Sequence, residues 1–177
     1  MKIYGIVAEY NPFHNGHKFQ IDEIRKKAGD CAIVSVMSGN YVQRAETAVM
    51  SKYARAKAAL LGGVDLVLEL PMPYAISSAE RFAYSSVHIL NSLGAVTDIS
   101  FGSECGSISI LKKAVEALYD ENVNLKLKAE LKNGVSYPAA RFAAVRDVFG
   151  AETAAVLSEP NNILAVEYIK AVSYTHL

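Results

Sequence analysis

Two histidines with a glycine between them, in His14-Asn15-Gly16-His17, are the residues of this chain best suited to chemistry. Spaced three apart at the start of a helical pattern, their imidazoles point the same way. The first turn of a helix carries unpaired backbone N–H groups and the positive end of the dipole, which together favour an anion. Gly16 lets a phosphate or a planar group approach the backbone where a side chain would block it. Two imidazoles beside such a site can hydrogen-bond phosphate oxygens and stabilise charge developing on a leaving pyrophosphate, and Lys18 adds a cation. The plainer alternative is a helix start with two solvent-facing histidines, but the buried strand pattern just before it favours function. Zinc is a weaker reading, because only His88 and His176 remain as further histidine ligands, and no metal site is expected.

Positioning these residues takes a strand, a turn and a helix. Residues 2–8 are short, apolar and rich in Ile and Val, which predicts a buried strand, and Asn11-Pro12 turns the chain. Residues 15–28 read as a helix with Phe19, Ile21 and Ile24 as its apolar positions and Gly29 as its stop. Cys31–Met37 predicts a second strand, 48–61 a helix closed by Gly62-Gly63, Val64–Leu70 a third strand ended by Pro71-Met72-Pro73, 78–93 a helix, and Thr97–Phe101 a fourth strand. Strands apolar on both faces and alternating with helices imply an α/β fold, a Rossmann-like parallel sheet flanked by helices. Ligands of such sheets bind at the carboxyl ends of the strands, here Ala8–His17, Met37–Arg44, Leu70–Tyr74 and Phe101–Glu104, which suggests one shared pocket. Beyond it the pattern is helical, over 107–119 and 122–132, with further helices beginning at Tyr137-Pro138 and Pro160-Asn161-Asn162.

The bulk properties fit one well-buried domain. The chain has 177 residues, 51% of them hydrophobic and 20% charged, with 18 basic and 18 acidic side chains and no net charge. That balance shows no electrostatic footprint of a nucleic-acid binder, although a local patch is compatible with it. Cys31 and Cys105 lack metal-ligand spacing, no signal peptide or membrane span is legible, and a reduced, cytoplasmic protein is expected.

Five blocks in order carry a resemblance: Gly5-Ile-Val-Ala-Glu-Tyr-Asn-Pro-Phe-His-Asn-Gly-His17, Met37-Ser-Gly-Asn-Tyr-Val-Gln-Arg44, Asp65-Leu-Val-Leu-Glu-Leu-Pro71, Phe101-Gly-Ser-Glu104 and Pro160-Asn-Asn-Ile-Leu164. The His-x-Gly-His element resembles the signature of the nucleotidyltransferase superfamily. The five blocks together resemble the bacterial tRNA(Met) cytidine acetate ligase family up to about Lys170. This implies a nucleotidyltransferase-like core over 1–106, a helical extension over 107–170, and ATP-dependent activation of acetate to acetyl-adenylate. Acetylation of the wobble cytidine of elongator tRNA(Met) would follow, with Mg2+ accompanying ATP. The resemblance puts Val7, Ala8, Glu9, Tyr10, Asn11, Pro12, Phe13, His14, Asn15, Gly16, His17, Lys18, Phe19 and Gln20 around ATP, with His14, His17 and Lys18 catalytic. It adds Gly102 at adenine or ribose and the Asn161-Asn162 pair at the nucleotide, without saying which asparagine makes the contact.

Ser38, Asn40 and Arg44 are further substrate or tRNA candidates, against the reading of a solvated loop. Glu9 and Glu104 read as strand-end caps before magnesium-linked carboxylates, Cys105 as inert and His88 as packed. The chain departs from the family pattern at Ala45-Glu46-Thr47, where a glycine and a proline are expected after Gln43-Arg44. It also departs in length, since family members run more than twice as long. Ala171–Leu177 reads as a non-native tail on a truncated chain. The missing part would then carry most of the tRNA surface, and this chain alone would bind ATP weakly and modify tRNA poorly. Two alternatives remain open at this point: an adenylyltransferase of a small phosphorylated substrate, and a non-catalytic nucleotide- or RNA-binding module.

Overall fold

The computed structural model describes residues 1–177 apart from the side chain of Arg44. Strands β1 (Lys2–Ala8), β2 (Cys31–Ser38), β3 (Leu66–Leu70) and β4 (Asp98–Ser100) form one parallel sheet in the order β3-β2-β1-β4. Helices α1 (Asn15–Ala28) and α2 (Lys52–Leu61) make the first two crossovers. Helices α3 (Met72–Ala75) and α4 (Ala79–Ser92) carry the chain from β3 to β4 on the far side of β1. The winding therefore reverses between β1 and β4, the topological switch point where α/β sheets bind ligands. The His14–His17 turn follows β1 directly.

Side-chain alternation, with helices on both faces, explains why the central strands β1 and β2 are largely apolar on both faces. Tyr4, Ile6 and Ala8 of β1 and Cys31, Ile33 and Met37 of β2 pack with Ile21 and Ile24 of α1 and Ala59 of α2. Val34, Val36 and Ser38 fall on the opposite face by the same alternation. There α4 buries Phe82, Ala83, Val87 and Leu90, and Leu90 lies against Gly5. Each fully buried aliphatic side chain of this kind contributes about 2 kcal/mol.

Three sequence expectations shift. The second helix begins at Lys52 and not at residue 48, because the preceding residues are spent on the loop. Tyr41 bridges Thr47, Ala48 N–H donates to Asn40 O, and the Ser51 hydroxyl caps the helix by accepting from Ala54 N–H. Phe19 is 67% exposed, because it sits two residues from Ile21 and so points away from the Ile21/Ile24 stripe. His88 is exposed and not packed, since the buried face of α4 runs through Phe82, Ser86, Val87 and Leu90. It stacks on Tyr84, with ring centroids 6.3 Å apart.

The chain divides into two compact units, Met1–Phe101 with Ala171–Leu177, and Gly102–Lys170. The second unit contains α5 (Ile108–Tyr119), α6 (Glu121–Lys132), α7 (Tyr137–Phe149), α8 (Ala151–Val156) and most of α9 (Pro160–Val172). Its interior is alanine-rich, with Ala114, Ala117, Ala140, Ala144, Ala154 and Ala165 buried beside Leu111, Val145 and Val166. Asp120 ends α5 and caps α6, its Oδ1 accepting from Asn122 and Val123 N–H at 2.8 and 3.0 Å. Helix α8 has no strong sequence signal of its own; at six residues it shows no periodicity to read.

Candidate functional site

The turn after β1 is held rigidly. Tyr10 is buried and adopts φ 47, a left-handed conformation that a tyrosine keeps only when its surroundings impose it. Its ring meets the His17 ring edge-on at 4.9 Å and the Phe13 ring at 5.3 Å. Asn11 and Pro12 are joined by a cis peptide bond. Glu9 Oε1 accepts from Gln43 N–H at 2.7 Å, and Asn11 Oδ1 accepts from Val49 N–H at 2.8 Å. Phe13 lies so close to Gly62, at the end of α2, that a Cβ there would overlap its ring.

His14 and His17 then cap α1 reciprocally. His14 Nδ1 accepts from Gly16 N–H at 3.1 Å, and His17 Nδ1 accepts from His14 N–H at 3.2 Å. This is a capping box built from imidazoles in place of the usual hydroxyl and carboxylate. Each ring accepts at Nδ1, so each neutral ring carries its proton on Nε2 and offers an Nε2–H donor. The rings stack with centroids 3.8 Å apart. Burial, and second the neighbouring His14, push the His17 imidazole down to about 4, so it is neutral at physiological pH.

One expectation about the anion site changes here. The first-turn donors are not all free: Gly16 N–H is spent on His14 Nδ1 and His17 N–H on His14 O. The Nδ1 contacts leave an Nε2–H on each neutral ring as a further donor. Gly16 has a second reason to be glycine, because a Cβ there would lie 2.9 Å from His14 Cε1 and force the capping ring to shift.

The other expected site residues separate into groups. Val7 and Ala8 close β1, and Pro12 and Asn15 are exposed at the turn. Gln20 ties α1 to the sheet, donating from Nε2 to Ser100 Oγ at 3.1 Å. Lys18 is paired with Asp22 on the exposed side of α1. Ser38 is the last residue of β2 and is fully buried, whereas Asn40 is exposed and its Oδ1 accepts from Lys52 N–H at 3.4 Å. The Arg44 side chain lies outside the described residues. Ala45, where a glycine is expected, has φ 59, the left-handed region that glycine enters without penalty.

In the second unit, Glu104 accepts from Asn161 N–H at 3.1 Å, Asn161 Nδ2 at 2.8 Å and Asn162 N–H at 2.7 Å. It thereby supplies the start of α9 with a carboxylate that the helix's own first turn lacks. Burial pushes its carboxyl up, but these hydrogen bonds outweigh that and leave it below the usual range. Asn162 is buried and holds Cys105 N–H with Oδ1 at 3.1 Å, whereas Asn161 is exposed. A Cβ on Gly102 would meet nothing within 4 Å among the described residues. Glu9 and Glu104 both act as caps, and among the described residues no group of three or more His, Cys, Asp or Glu side chains could hold a metal ion. No helix is long and apolar enough to cross a membrane among the described residues.

Residues 1–176 match the family described as HIGH Nucleotidyl Transferase. The chain belongs to this family. It is 49% identical over 178 residues to a tRNA(Met) cytidine acetate ligase of Caldicellulosiruptor saccharolyticus, covering 99% of this chain and 44% of that protein. It is 47% identical over 176 residues to one of Acetivibrio thermocellus, covering 97% of this chain and 42% of that protein. Its structure resembles that of Thermotoga maritima TmcAL bound with alpha-thio ATP, with a TM-score of 0.93 and 41% identity, over 100% of this chain and 45% of that one. The chain thus spans less than half the length of these relatives.

Arg55 lies outside every motif named from the sequence. Arg55, set among alanines on α2, shares its buried face with Ala59 and reaches the carbonyls at the ends of β1 and β2. The available signal was its position four residues before Ala59 on an otherwise apolar stripe, where a charge needs partners.

Proposed function

We propose that the full-length protein containing this chain activates acetate with ATP and acetylates the wobble cytidine of elongator tRNA(Met). The likeness to relatives named tRNA(Met) cytidine acetate ligase, at 46–49% identity in the first several, carries this reading. The neighbouring structure with alpha-thio ATP supports a nucleotide site in the same fold.

In the first step an acetate oxygen attacks the α-phosphorus of ATP. The bond between the α-phosphorus and the bridging oxygen breaks, and pyrophosphate leaves. In the second step the cytidine exocyclic amine attacks the acetyl carbonyl, AMP departs with the electron pair, and the amine loses a proton. The contribution of this chain is positioning and charge stabilisation. Residues Val7–Gln20 wrap ATP, and the Nε2–H donors of His14 and His17 reach its phosphate oxygens. The Nδ1 contacts orient both rings, and burial first keeps the His17 ring a neutral donor. Lys18 joins them on release from Asp22. Gly102 admits adenine or ribose against the backbone. In the second unit, Asn161 is the exposed member of the pair and so the one available to a nucleotide, and buried Asn162 holds the Cys105 turn.

Asn40, exposed on the loop after β2, is the candidate there for the acetate or tRNA side, and buried Ser38 supports that loop. Mg2+ accompanying ATP would be held by the phosphates and would offset their charge, since Glu9 and Glu104 are committed as caps. The tRNA surface lies mostly in the part of the protein beyond this chain, and the setting is cytoplasmic. The test is exchange of labelled pyrophosphate into ATP by the full-length protein. Exchange that requires acetate supports the reading, and exchange indifferent to acetate sinks it.

A further inference from the structure

Arg55 heads the fully buried side chains by volume among the described residues, although it carries a charge. Its guanidinium meets three carbonyls from three segments. Nη1 donates to Glu9 O at 2.5 Å, Nη2 donates to Gly39 O, and Nε donates to Met50 O at 3.2 Å. Glu9 is the first residue after β1, Gly39 the first after β2, and Met50 lies just before the Ser51 cap of α2. Burial pulls the guanidinium pKa down, and the charges of Glu9 and Glu69 hold it up.

Packing alone does not account for a charge at this position, because an apolar side chain of similar volume fills a core at lower desolvation cost. What the planar fork adds is direction: it holds carbonyl oxygens from separate loops at fixed angles. Two of those carbonyls flank the segments that carry the candidate site, the turn through Tyr10–His17 and the turn through Ser38–Asn40. The first of these also needs external restraint to keep Tyr10 at φ 47.

We propose that Arg55 is a positioning residue for the nucleotide site, holding the loops after β1 and β2 in the geometry that aligns His14 and His17 on the phosphates. This rests on the ATP reading above. A loop ordered in advance pays little ordering cost when ATP binds; without the fork, binding must pay it. The test uses the full-length protein with R55M and R55K. ATP alone is titrated by calorimetry at a temperature where circular dichroism shows each variant folded, and pyrophosphate exchange is then followed against ATP concentration.

R55M is expected to weaken ATP binding by about tenfold or more, with the KM for ATP rising by more than kcat falls. R55K is expected to remain nearly as weak, since an ammonium keeps the charge but cannot hold three carbonyls. Wild-type affinity in both folded variants would overturn the assignment, as would full rescue by lysine, which would make charge alone sufficient. If neither variant folds, Arg55 is a folding residue and the assignment is wrong. If the wild type does not bind ATP, this inference falls together with the nucleotide reading. Binding decides the role of Arg55, whereas the acetate dependence of exchange separately decides the ligase reading.

Discussion

Acidification should unlock the histidine cap. In the unfolded chain the His17 imidazole has its ordinary value of 6.5, and in the folded chain burial first, then His14, lowers it to about 4. Between those values the unfolded state binds more protons than the folded one, so stability falls as the pH falls. Above 6.5 this residue contributes no pH dependence. Within the window the slope approaches one proton, about 1.4 kcal/mol per pH unit. Over the whole window this amounts to about 3 to 4 kcal/mol at most, less what solvent screening removes at a half-buried ring. The structural cause is specific: a proton on His17 Nδ1 would face His14 N–H and break the 3.2 Å bond that closes the cap.

H17Q is the matched control, since a glutamine oxygen can accept from His14 N–H as in an ordinary capping box but does not titrate. Urea unfolding of both proteins from about pH 7 to about pH 4 should show the wild type losing stability faster, with the gap opening only below the unfolded value. Curves that stay parallel through the window would refute the argument that His17 is held neutral by its burial. H14Q should return part of the shift, the smaller part, because burial remains; an imidazole NMR titration would read it directly.

Four further outcomes follow from the geometry. H14A and H17A should each lower acetate-dependent pyrophosphate exchange by about a hundredfold or more in the full-length protein, the usual loss for a preorganised donor; activity within a few-fold of wild type would remove them from the phosphate site. G16A should depress both stability and ATP affinity, because its Cβ would meet His14 Cε1 at 2.9 Å, and an unchanged melting temperature would argue against the cap. E104A should cost about 1 kcal/mol by uncapping α9, measured by denaturant unfolding. Because the Glu104 carboxyl is lowered from 4.5, that stabilisation should be present above 4.5 and be lost as the pH falls below it. A45G should stabilise the loop by up to about 1 kcal/mol by relieving a left-handed alanine, and a fall in stability would contradict the φ of 59.

Much of the architecture was legible from local pattern. Strands β1 and β2 were readable because they lie in the middle of the sheet and are covered on both faces, which leaves largely apolar runs. Helix α1 was readable from residue 15 to residue 28 because its cap signal and its stop at Gly29 are both local. Helix α2 was misjudged at its start because residues 48–51 have helical composition but are recruited by Asn40 and Asn11, contacts distant in sequence. His88 and Phe19 are exposed despite apolar neighbours, because an apolar neighbourhood in sequence does not say which side of a helix is covered.

For the candidate site the division is similar. His14, Gly16 and His17 are adjacent in the chain, so their spacing alone determined a helix start with two imidazoles at an anion-friendly end. Only the folded chain decided that the histidines cap each other, that their tautomers are fixed, and that His17 is neutral, because these depend on burial beneath Tyr10 and Phe13. The same holds for Arg55. Nothing in Ala54-Arg55-Ala56 shows that its partners are the carbonyls of Glu9 and Gly39, which are 46 and 16 residues away and meet it only when the sheet forms. Local spacing determines which groups can act, and long-range packing decides which of them are held still, dried and aimed.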